Sequence, residues 1–160
     1  MNIFVLDEDP AIAARMACDK HVVKMVLETA QILSTVCHKY GQDVGYKPTH
    51  QNHPCVLWTG ETRDNFLWTL SHGLALACEY TRRYACRHKS EAVLSNVFWT
   101  RLHLPLEGPL SPFMQVMPPQ YRGSNAVEAY RAFYIGEKSR FAKWEKGRDA
   151  PEWYTSGVSS

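Results

Sequence analysis

A histidine, a lysine and a glutamate lie at helical spacing in the first quarter of the chain. His21, Lys24 and Glu28 are three and four residues apart, so a helix places all three on one face. Lys20 and Gln31 fall within the same arc of roughly 100°. An imidazole, an amine and a carboxylate on one strip are the groups that acid–base or Schiff-base chemistry requires.

The remainder of this predicted helix is apolar. Hydrophobic side chains between Val22 and Leu33 occupy most of its circumference, which inverts the proportions of an ordinary surface helix. We expect the helix to be buried on most sides, with the polar strip lining a cavity, because burying unused polar groups is costly. The alternative is an exposed ion pair of Lys24 with Glu28, worth a few tenths of a kcal/mol, in the weaker lysine-first order.

A second predicted helix carries its own polar stripe. Asn65, Trp68 and His72 share one face with Glu79 and Arg83, which are spaced for an ion pair four residues apart. If the two helices turn their stripes toward each other, both line one pocket, and Trp68 stacks on the ligand.

The cysteine and histidine residues offer a zinc site as an alternative. Cys18 and His21 are one helical turn apart, and His50, His53 and Cys55 lie close together in a predicted loop. The spacings match no standard zinc finger, and buried thiols with capping histidines explain them as well. We therefore predict no metal site.

Basic and aromatic residues interleave in the second half of the chain. The basic residues cluster in 82–89 and 138–148, where charge along a solvated helix face is the usual explanation. The predicted loop Pro119–Gly123 carries Tyr121 and Arg122 at its tip. An aromatic ring beside an arginine could contact a DNA backbone or an unstacked base.

The elements that position these residues are predicted to be helical. Asp9 and Pro10 are typical of the start of a helix, and Gly41 is typical of the end of one. Five prolines exclude a helix from 104–124. The predicted helices cover 10–40, 61–87, 91–100 and about 125–144. We expect a mostly α, single compact domain of about four helices, with a short N-terminal strand or extended segment and proline-rich loops.

Composition excludes several classes of protein. A chain of 160 residues with 45% hydrophobic and 21% charged residues suits one soluble domain rather than a disordered chain. No apolar run reaches the roughly 18 residues of a membrane span. The start of the chain lacks the basic region of a signal peptide, and five cysteines without an export signal indicate a reducing, cytoplasmic location.

Three short motifs occur in a fixed order. Asp19-Lys20-His21 is followed by Glu28 seven residues after the histidine, then by Pro119-Gln120-Tyr121-Arg122-Gly123 and by Pro151-Glu152-Trp153-Tyr154. In order and separation they resemble the phage pyrimidine-dimer DNA glycosylase/AP lyase family of the endonuclease V type. The resemblance implies an all-α fold that clamps duplex DNA and flips a nucleotide out, without a cofactor.

The resemblance also implies roles for individual residues. In that family the N-terminal α-amine attacks the deoxyribose C1′ carbon to form an imine, and a glutamate assists. Glu28 matches that glutamate, and His21 matches the family's histidine seven residues earlier. The arginines that flank the family's glutamate are replaced here by Leu27 and Gln31, which weakens the DNA contacts predicted for this region.

The nucleophile departs further from the family pattern. The family exposes the amine of a small residue after removal of its initiator methionine, whereas Asn2 is bulky, so we expect Met1 to be retained. Three possibilities follow: the Met1 amine acts, Lys24 replaces it after activation by burial, or lyase chemistry is absent.

These observations, with the resemblance, predict a DNA glycosylase, or a glycosylase-like enzyme, acting on a flipped pyrimidine nucleotide in duplex DNA. The expected location is cytoplasmic, in the cytosol of a bacterial host if the protein is phage-encoded. The loop 50–55 would form one wall of the pocket. The residues expected to bind substrate are Lys20, Gln31, His53, Asn65, Trp68, His72, Tyr121 and Arg122. The alternatives are a phage enzyme that modifies DNA bases by group transfer on the same scaffold, and a non-catalytic DNA-binding or host-inhibiting protein.

Overall fold

The computed structural model describes residues 1–160 and is built from helices and loops, without a strand. The helices are α1 (Pro10–Met16), α2 (Asp19–Lys39), α3 (Pro54–Thr59), α4 (Arg63–Tyr84), α5 (Glu91–Thr100), α6 (Ala126–Phe133) and α7 (Glu152–Val158). Two 3₁₀ turns (Arg101–His103 and Pro119–Tyr121) and one π-helical turn (Tyr134–Lys138) complete them. The predicted all-α class is confirmed, with seven helices in place of about four. None of the helices combines the length and apolar character of a membrane span.

The single helix predicted from Pro10 to Tyr40 is wrong, because the chain breaks into α1 and α2 at Ala17 and Cys18. Both residues have extended backbone. The indole nitrogen of Trp144 donates to the Met16 carbonyl at 3.1 Å, and the Arg83 guanidinium donates to the Ala17 carbonyl at 2.8 Å. These distant donors satisfy the carbonyls that the end of α1 leaves free.

Helix α2 lies at the centre of the fold, where it packs against α3, α4 and α5. Most of its residues are buried, as the inverted proportions of its faces predicted. Gly73 allows α4 to approach α2 closely, since a Cβ atom there would lie 2.9 Å from Cγ2 of Thr29.

The N-terminal segment, Met1–Leu6, enters the core as extended chain and not as a strand. Ile3, Phe4, Val5 and Leu6 are all buried. Arg131 Nε donates to the Leu6 carbonyl at 2.9 Å. Burial of these four apolar side chains holds the segment against the core, and this places Met1 beside α2.

The last predicted helix, to about Trp144, is also wrong in extent, because α6 ends at Phe133 and passes into the π-helical turn. The following chain binds the start of α2: the Asp19 amide donates to the Lys143 carbonyl at 2.8 Å, and the Glu145 amide donates to Asp19 Oδ2 at 2.7 Å. Helix α7 was not predicted, since seven residues give little periodicity.

Candidate active site

A cavity of about 590 Å³ opens beside the N-terminal half of α2. It combines residues of the N-terminal segment, one face of α2 and the chain after α6. The lining residues are Met1, Asn2, Phe4, Lys20, His21, Lys24, Met25, Glu28, Lys138, Arg140 and Phe141. The structure thus brings His21, Lys24 and Glu28 to one cavity, in agreement with the expectation from their spacing.

The Met1 α-amine forms an ion pair with Glu28. The amine nitrogen lies 3.2 Å from Oε1 of Glu28, and the two side chains are only 4% and 11% exposed. The other carboxylate oxygen, Oε2, is buried and accepts no hydrogen bond. A carboxylate beside an amine can receive a proton from it.

The side chain of Asn2 anchors this amine. Its Oδ1 accepts hydrogen bonds from the Ile3 amide at 2.8 Å and the Tyr130 hydroxyl at 3.2 Å. Its Nδ2 donates to the Val116 carbonyl at 2.8 Å. The amide is thereby bonded on both ends, so the backbone that leads to Met1 is held in one position.

Lys24 lies at the rim of the cavity rather than within its wall. Its side chain is 63% exposed, and its Nζ is 3.7 Å from Oε2 of Glu28. The expectation that Lys24 is buried is therefore wrong, because the long side chain extends from the helix into solvent. Lys20 is exposed at the same rim, with its Nζ 4.8 Å above the ring of Phe141.

His21 forms an aromatic wall of the cavity. Its ring stacks on Phe4 with centroids 4.3 Å apart, and Nδ1 is hydrogen-bonded to the hydroxyl of Tyr134. Burial lowers the pKa of His21 to about 3, and the positive charges of Lys138 and Lys24 act in the same direction. His21 is therefore neutral at physiological pH.

Lys138 and Arg140 were not recognised as site residues from the sequence. The π-helical turn directs Lys138 toward the cavity, where its Nζ lies 4.7 Å from the ring centroid of Phe133. Burial lowers the pKa of Lys138, and the charge of Arg140 adds to the effect. Both residues belong to the basic cluster 138–148, but a helix predicted through that cluster concealed the turn that carries them to the site.

Positive charge predominates around the cavity. Its lining includes the four side-chain cations Lys20, Lys24, Lys138 and Arg140, and Glu28 is its only carboxylate. Such a concentration of one sign attracts an anionic ligand and suits contacts with phosphate oxygens.

The expectation that Asn65, Trp68 and His72 form the facing wall is wrong. All three are buried, and none lines the cavity. Trp68 Nε1 donates to the Glu8 carbonyl at 2.8 Å, and His72 Nδ1 is 3.0 Å from the Pro10 carbonyl. The polar side chains on this face of α4 therefore form hydrogen bonds with backbone carbonyls of neighbouring segments.

Asn65 and His72 show this structural use most clearly. Asn65 Nδ2 donates to the Trp58 carbonyl and to Ser111 Oγ, both at 2.8 Å. Complete burial lowers the pKa of His72 to about 4, so its ring is neutral. Polar side chains with such partners serve the fold.

Gln31 and the loop 50–55 lie outside the cavity lining. Gln31 is half-buried one turn beyond Glu28. His53 caps α3 by accepting from the Cys55 amide at 3.1 Å, and burial together with the positive charge of the Met1 amine lowers its pKa. The loop therefore lies near Met1 but does not form the wall of the cavity.

The alternative zinc site does not assemble. No three side chains of the His, Cys, Asp and Glu types converge in a way that could hold a metal ion. Cys18 contacts Tyr134, whereas the Cys55 thiol faces Asn2.

Tyr121 does not project from its loop, contrary to expectation. Its ring packs on Phe133, and its hydroxyl donates to Glu137 at 3.3 Å. Gly136 provides the space, since a Cβ there would lie 2.2 Å from the Tyr121 hydroxyl oxygen. Arg122 is exposed, with Nε donating to the Met117 carbonyl at 2.9 Å, which leaves its other nitrogens free for a ligand.

Comparison with known proteins gives one match. The family model described as pyrimidine dimer DNA glycosylase matches residues 1–92, more than half of the chain. The matched region includes the amine, the histidine and the glutamate at the cavity. Two of the three motifs that carried the resemblance lie beyond it. Neither the curated proteins nor the solved structures contain a significant match.

Proposed function

The chain belongs to the pyrimidine dimer DNA glycosylase family, and we propose that it cleaves the N-glycosidic bond of a damaged pyrimidine in duplex DNA, with the Met1 α-amine as nucleophile and Glu28 as acid–base group. The observation that carries this proposal is the 3.2 Å separation of the amine nitrogen from Glu28 Oε1 within a cavity. An amine paired with a carboxylate is the arrangement that imine chemistry needs.

The first steps displace the base. The Met1 ammonium gives a proton to the Glu28 carboxylate, which frees the nitrogen lone pair. The nitrogen attacks C1′ of the deoxyribose, the N1–C1′ bond breaks, and its electron pair leaves with the base. The departing base then takes a proton from the newly bonded nitrogen, so that it leaves C1′ as a neutral pyrimidine, still joined to its neighbour in the dimer.

Ring opening and strand cleavage follow from the same two groups. The C1′–O4′ bond breaks as the C1′–N double bond forms, and Glu28 returns its proton to O4′. The carboxylate can then take a proton from C2′, with departure of the 3′ phosphate as leaving group. Water finally hydrolyses the iminium and restores the Met1 amine. Oε1 of Glu28 faces the amine, and Oε2, which accepts no hydrogen bond in the protein, lies 3.7 Å from Lys24 Nζ.

The size and charge of the cavity support a nucleotide ligand. A volume of about 590 Å³ lies within the range of roughly 300–1,000 Å³ that small-molecule sites occupy. The phosphates on either side of a flipped nucleotide would meet Lys20, Lys24, Lys138 and Arg140. Lys24 serves as a rim cation in this account, because its exposure removes the activation by burial that a nucleophilic lysine needs.

The proposal is tested with ultraviolet-irradiated duplex DNA, which contains pyrimidine dimers, against the same duplex without irradiation. We expect cleavage of the N-glycosidic bond of one pyrimidine of the dimer, whose base stays joined to its neighbour through the cyclobutane ring, and strand cleavage only in irradiated DNA. Binding of the irradiated duplex without cleavage of a glycosidic bond would reject the proposal in favour of a DNA-binding protein. A mass increase of the DNA bases with a small-molecule donor would reject it in favour of group transfer.

A further inference from the structure

The hydroxyl of Tyr134 is buried behind the imidazole of His21. Tyr134 has no exposed surface and belongs to the π-helical turn that also carries Lys138. Its oxygen is within hydrogen-bond distance of Nδ1 of His21, and the Cys18 amide donates to the same oxygen at 3.4 Å. A π-helical turn is rare and often occurs at functional sites.

The ring of His21 has one orientation. Phe4 stacks on one side with the two planes 16° apart, and Phe141 contacts it edge-on at 5.5 Å between centroids. Since Nδ1 is turned inward to Tyr134, Nε2 is turned to the cavity that His21 lines. Nε2 has no hydrogen-bond partner in the protein, and it keeps some exposed surface.

The position of the ring proton follows from the acceptors around Tyr134. The tyrosine hydroxyl has a single proton, which can go to Nδ1 of His21 or to Sγ of Cys18 at 3.7 Å. An imidazole nitrogen is a much better acceptor than a thiol sulfur at that distance. With Nδ1 as acceptor, the single proton of the neutral imidazole is on Nε2.

We infer that Tyr134 is a positioning residue that holds His21 in its Nε2–H form, so that His21 donates a hydrogen bond to a carbonyl oxygen of the flipped pyrimidine. The identity of this ligand rests on the proposed function. The tautomer and the direction of Nε2 rest on the structure alone.

The layout of the cavity places the base at this end. His21 and Glu28 are seven residues apart on α2, which corresponds to about 10 Å along the helix axis. The C1′ atom must lie at the Met1 amine, so the base points away from Glu28 toward the rings of Phe4 and His21. When the N1–C1′ bond breaks, negative charge spreads from N1 to the pyrimidine O2. A fixed donor at that oxygen stabilises the departing base.

Nuclear magnetic resonance tests the tautomer without any activity. Long-range ¹H–¹⁵N spectra of the ¹⁵N-labelled protein distinguish protonated from unprotonated ring nitrogens, and the His21→Gln variant assigns the signals. We expect His21 to remain neutral with its proton on Nε2 over a pH range of about 5 to 8. Tyr134→Phe should convert this pattern to a mixture of both tautomers or to a charged ring. A proton on Nδ1 in the unaltered protein would overturn the inference.

Kinetics then test the role of the donor. Tyr134→Phe should slow cleavage of the N1–C1′ bond in dimer-containing DNA by roughly 10- to 100-fold, as loss of an orienting partner does. It should leave imine formation on DNA that already contains an abasic site unchanged, because no base has to depart from that substrate. Tyr46→Phe is the matched control, since it removes a tyrosine hydroxyl bonded to Ser90 Oγ at 2.8 Å, away from the cavity, and should alter neither rate.

The outcomes separate this inference from the proposed function. Equal slowing of both reactions by Tyr134→Phe would mean a general structural role and would overturn the inference while leaving the glycosylase proposal intact. Absence of both reactions in the unaltered protein, together with the Nε2–H tautomer, would reject the proposed function and leave the positioning role of Tyr134 supported.

Discussion

The nitrogen of the Met1 α-amine lies 3.2 Å from Oε1 of Glu28, at a cavity that also contains four side-chain cations. Residues 1 and 28 meet because the N-terminal segment is buried as extended chain and delivers the amine to the face of α2. In the proposed mechanism, this contact joins a nucleophile and an acid–base group that come from two different parts of the sequence.

Glu28→Gln should abolish turnover and leave DNA affinity largely intact. The amide has nearly the shape of the carboxylate but cannot accept the amine proton, and loss of such a group costs typically 10²- to 10⁴-fold in rate. The single-turnover rate of glycosidic-bond cleavage and an equilibrium binding titration measure the two quantities. A variant that retains rates within a few-fold of the unaltered protein would remove Glu28 from the mechanism.

Asn2→Leu should both destabilise the protein and weaken imine formation. The Val116 carbonyl would lose its donor, whereas the Tyr130 hydroxyl keeps the Met114 carbonyl as acceptor at 3.0 Å. An unsatisfied buried group costs about 1–3 kcal/mol. Urea unfolding and the yield of borohydride-trapped product report the two effects. Asn96→Leu, at an exposed position of α5, is the control and should change neither.

Arg83→Met should be strongly destabilising because Arg83 neutralises two buried carboxylates. Its Nη1 lies 3.0 Å from Oδ1 of Asp19, and its Nε lies 2.9 Å from Oε1 of Glu79. The pair with Glu79 is the one that the sequence spacing predicted. Removing one partner of a buried pair costs roughly 3–5 kcal/mol, which urea unfolding can measure. Arg87→Met interrupts the exposed pair with Glu91 and should cost less than about 1 kcal/mol.

Stability should fall as the pH decreases from about 6.5 toward 4. Burial lowers the pKa values of His21 and His72 to about 3 and about 4, from 6.5 in an unfolded chain. In this window the unfolded chain binds protons that the folded chain excludes, so each histidine removes up to roughly 1.4 kcal/mol per pH unit. Urea unfolding at several pH values measures the slope, and His72→Gln should reduce it by about half.

Lys138→Ala and Arg140→Ala should weaken DNA binding and its dependence on salt. Each phosphate contact that is lost reduces the slope of log affinity against log salt concentration by about 1. Titrations at several salt concentrations give this slope, and Lys47→Ala, at an exposed position outside the cavity lining, is the control. Unchanged slopes in both cavity variants would place the DNA elsewhere.

The all-α fold and the strip on α2 could be predicted because both depend on local periodicity. The spacing of His21, Lys24 and Glu28 requires only that residues 20–31 form a helix, and they do. Gly41 ends α2 in the left-handed region, at φ 80°, as expected of a glycine after a helix. The bounds of α5 match the predicted 91–100 for the same reason.

The errors arose where distant partners decide the structure. The break at Ala17 depends on Arg83 and Trp144, which no local pattern reveals. The stripe of Asn65, Trp68 and His72 has the spacing of a cavity wall, but carbonyls of other segments satisfy it. Helix periodicity identifies residues that share a face, and it does not identify what that face contacts.

The central claim is tested most directly by trapping the imine on abasic duplex DNA with borohydride and mapping the cross-linked residue by peptide mass spectrometry. We expect a covalent adduct on the α-amine of Met1, which Lys24→Ala still forms when the DNA is saturating and which is lost in Glu28→Gln. An adduct on the side chain of Lys24, or none with DNA that the protein binds, would contradict it.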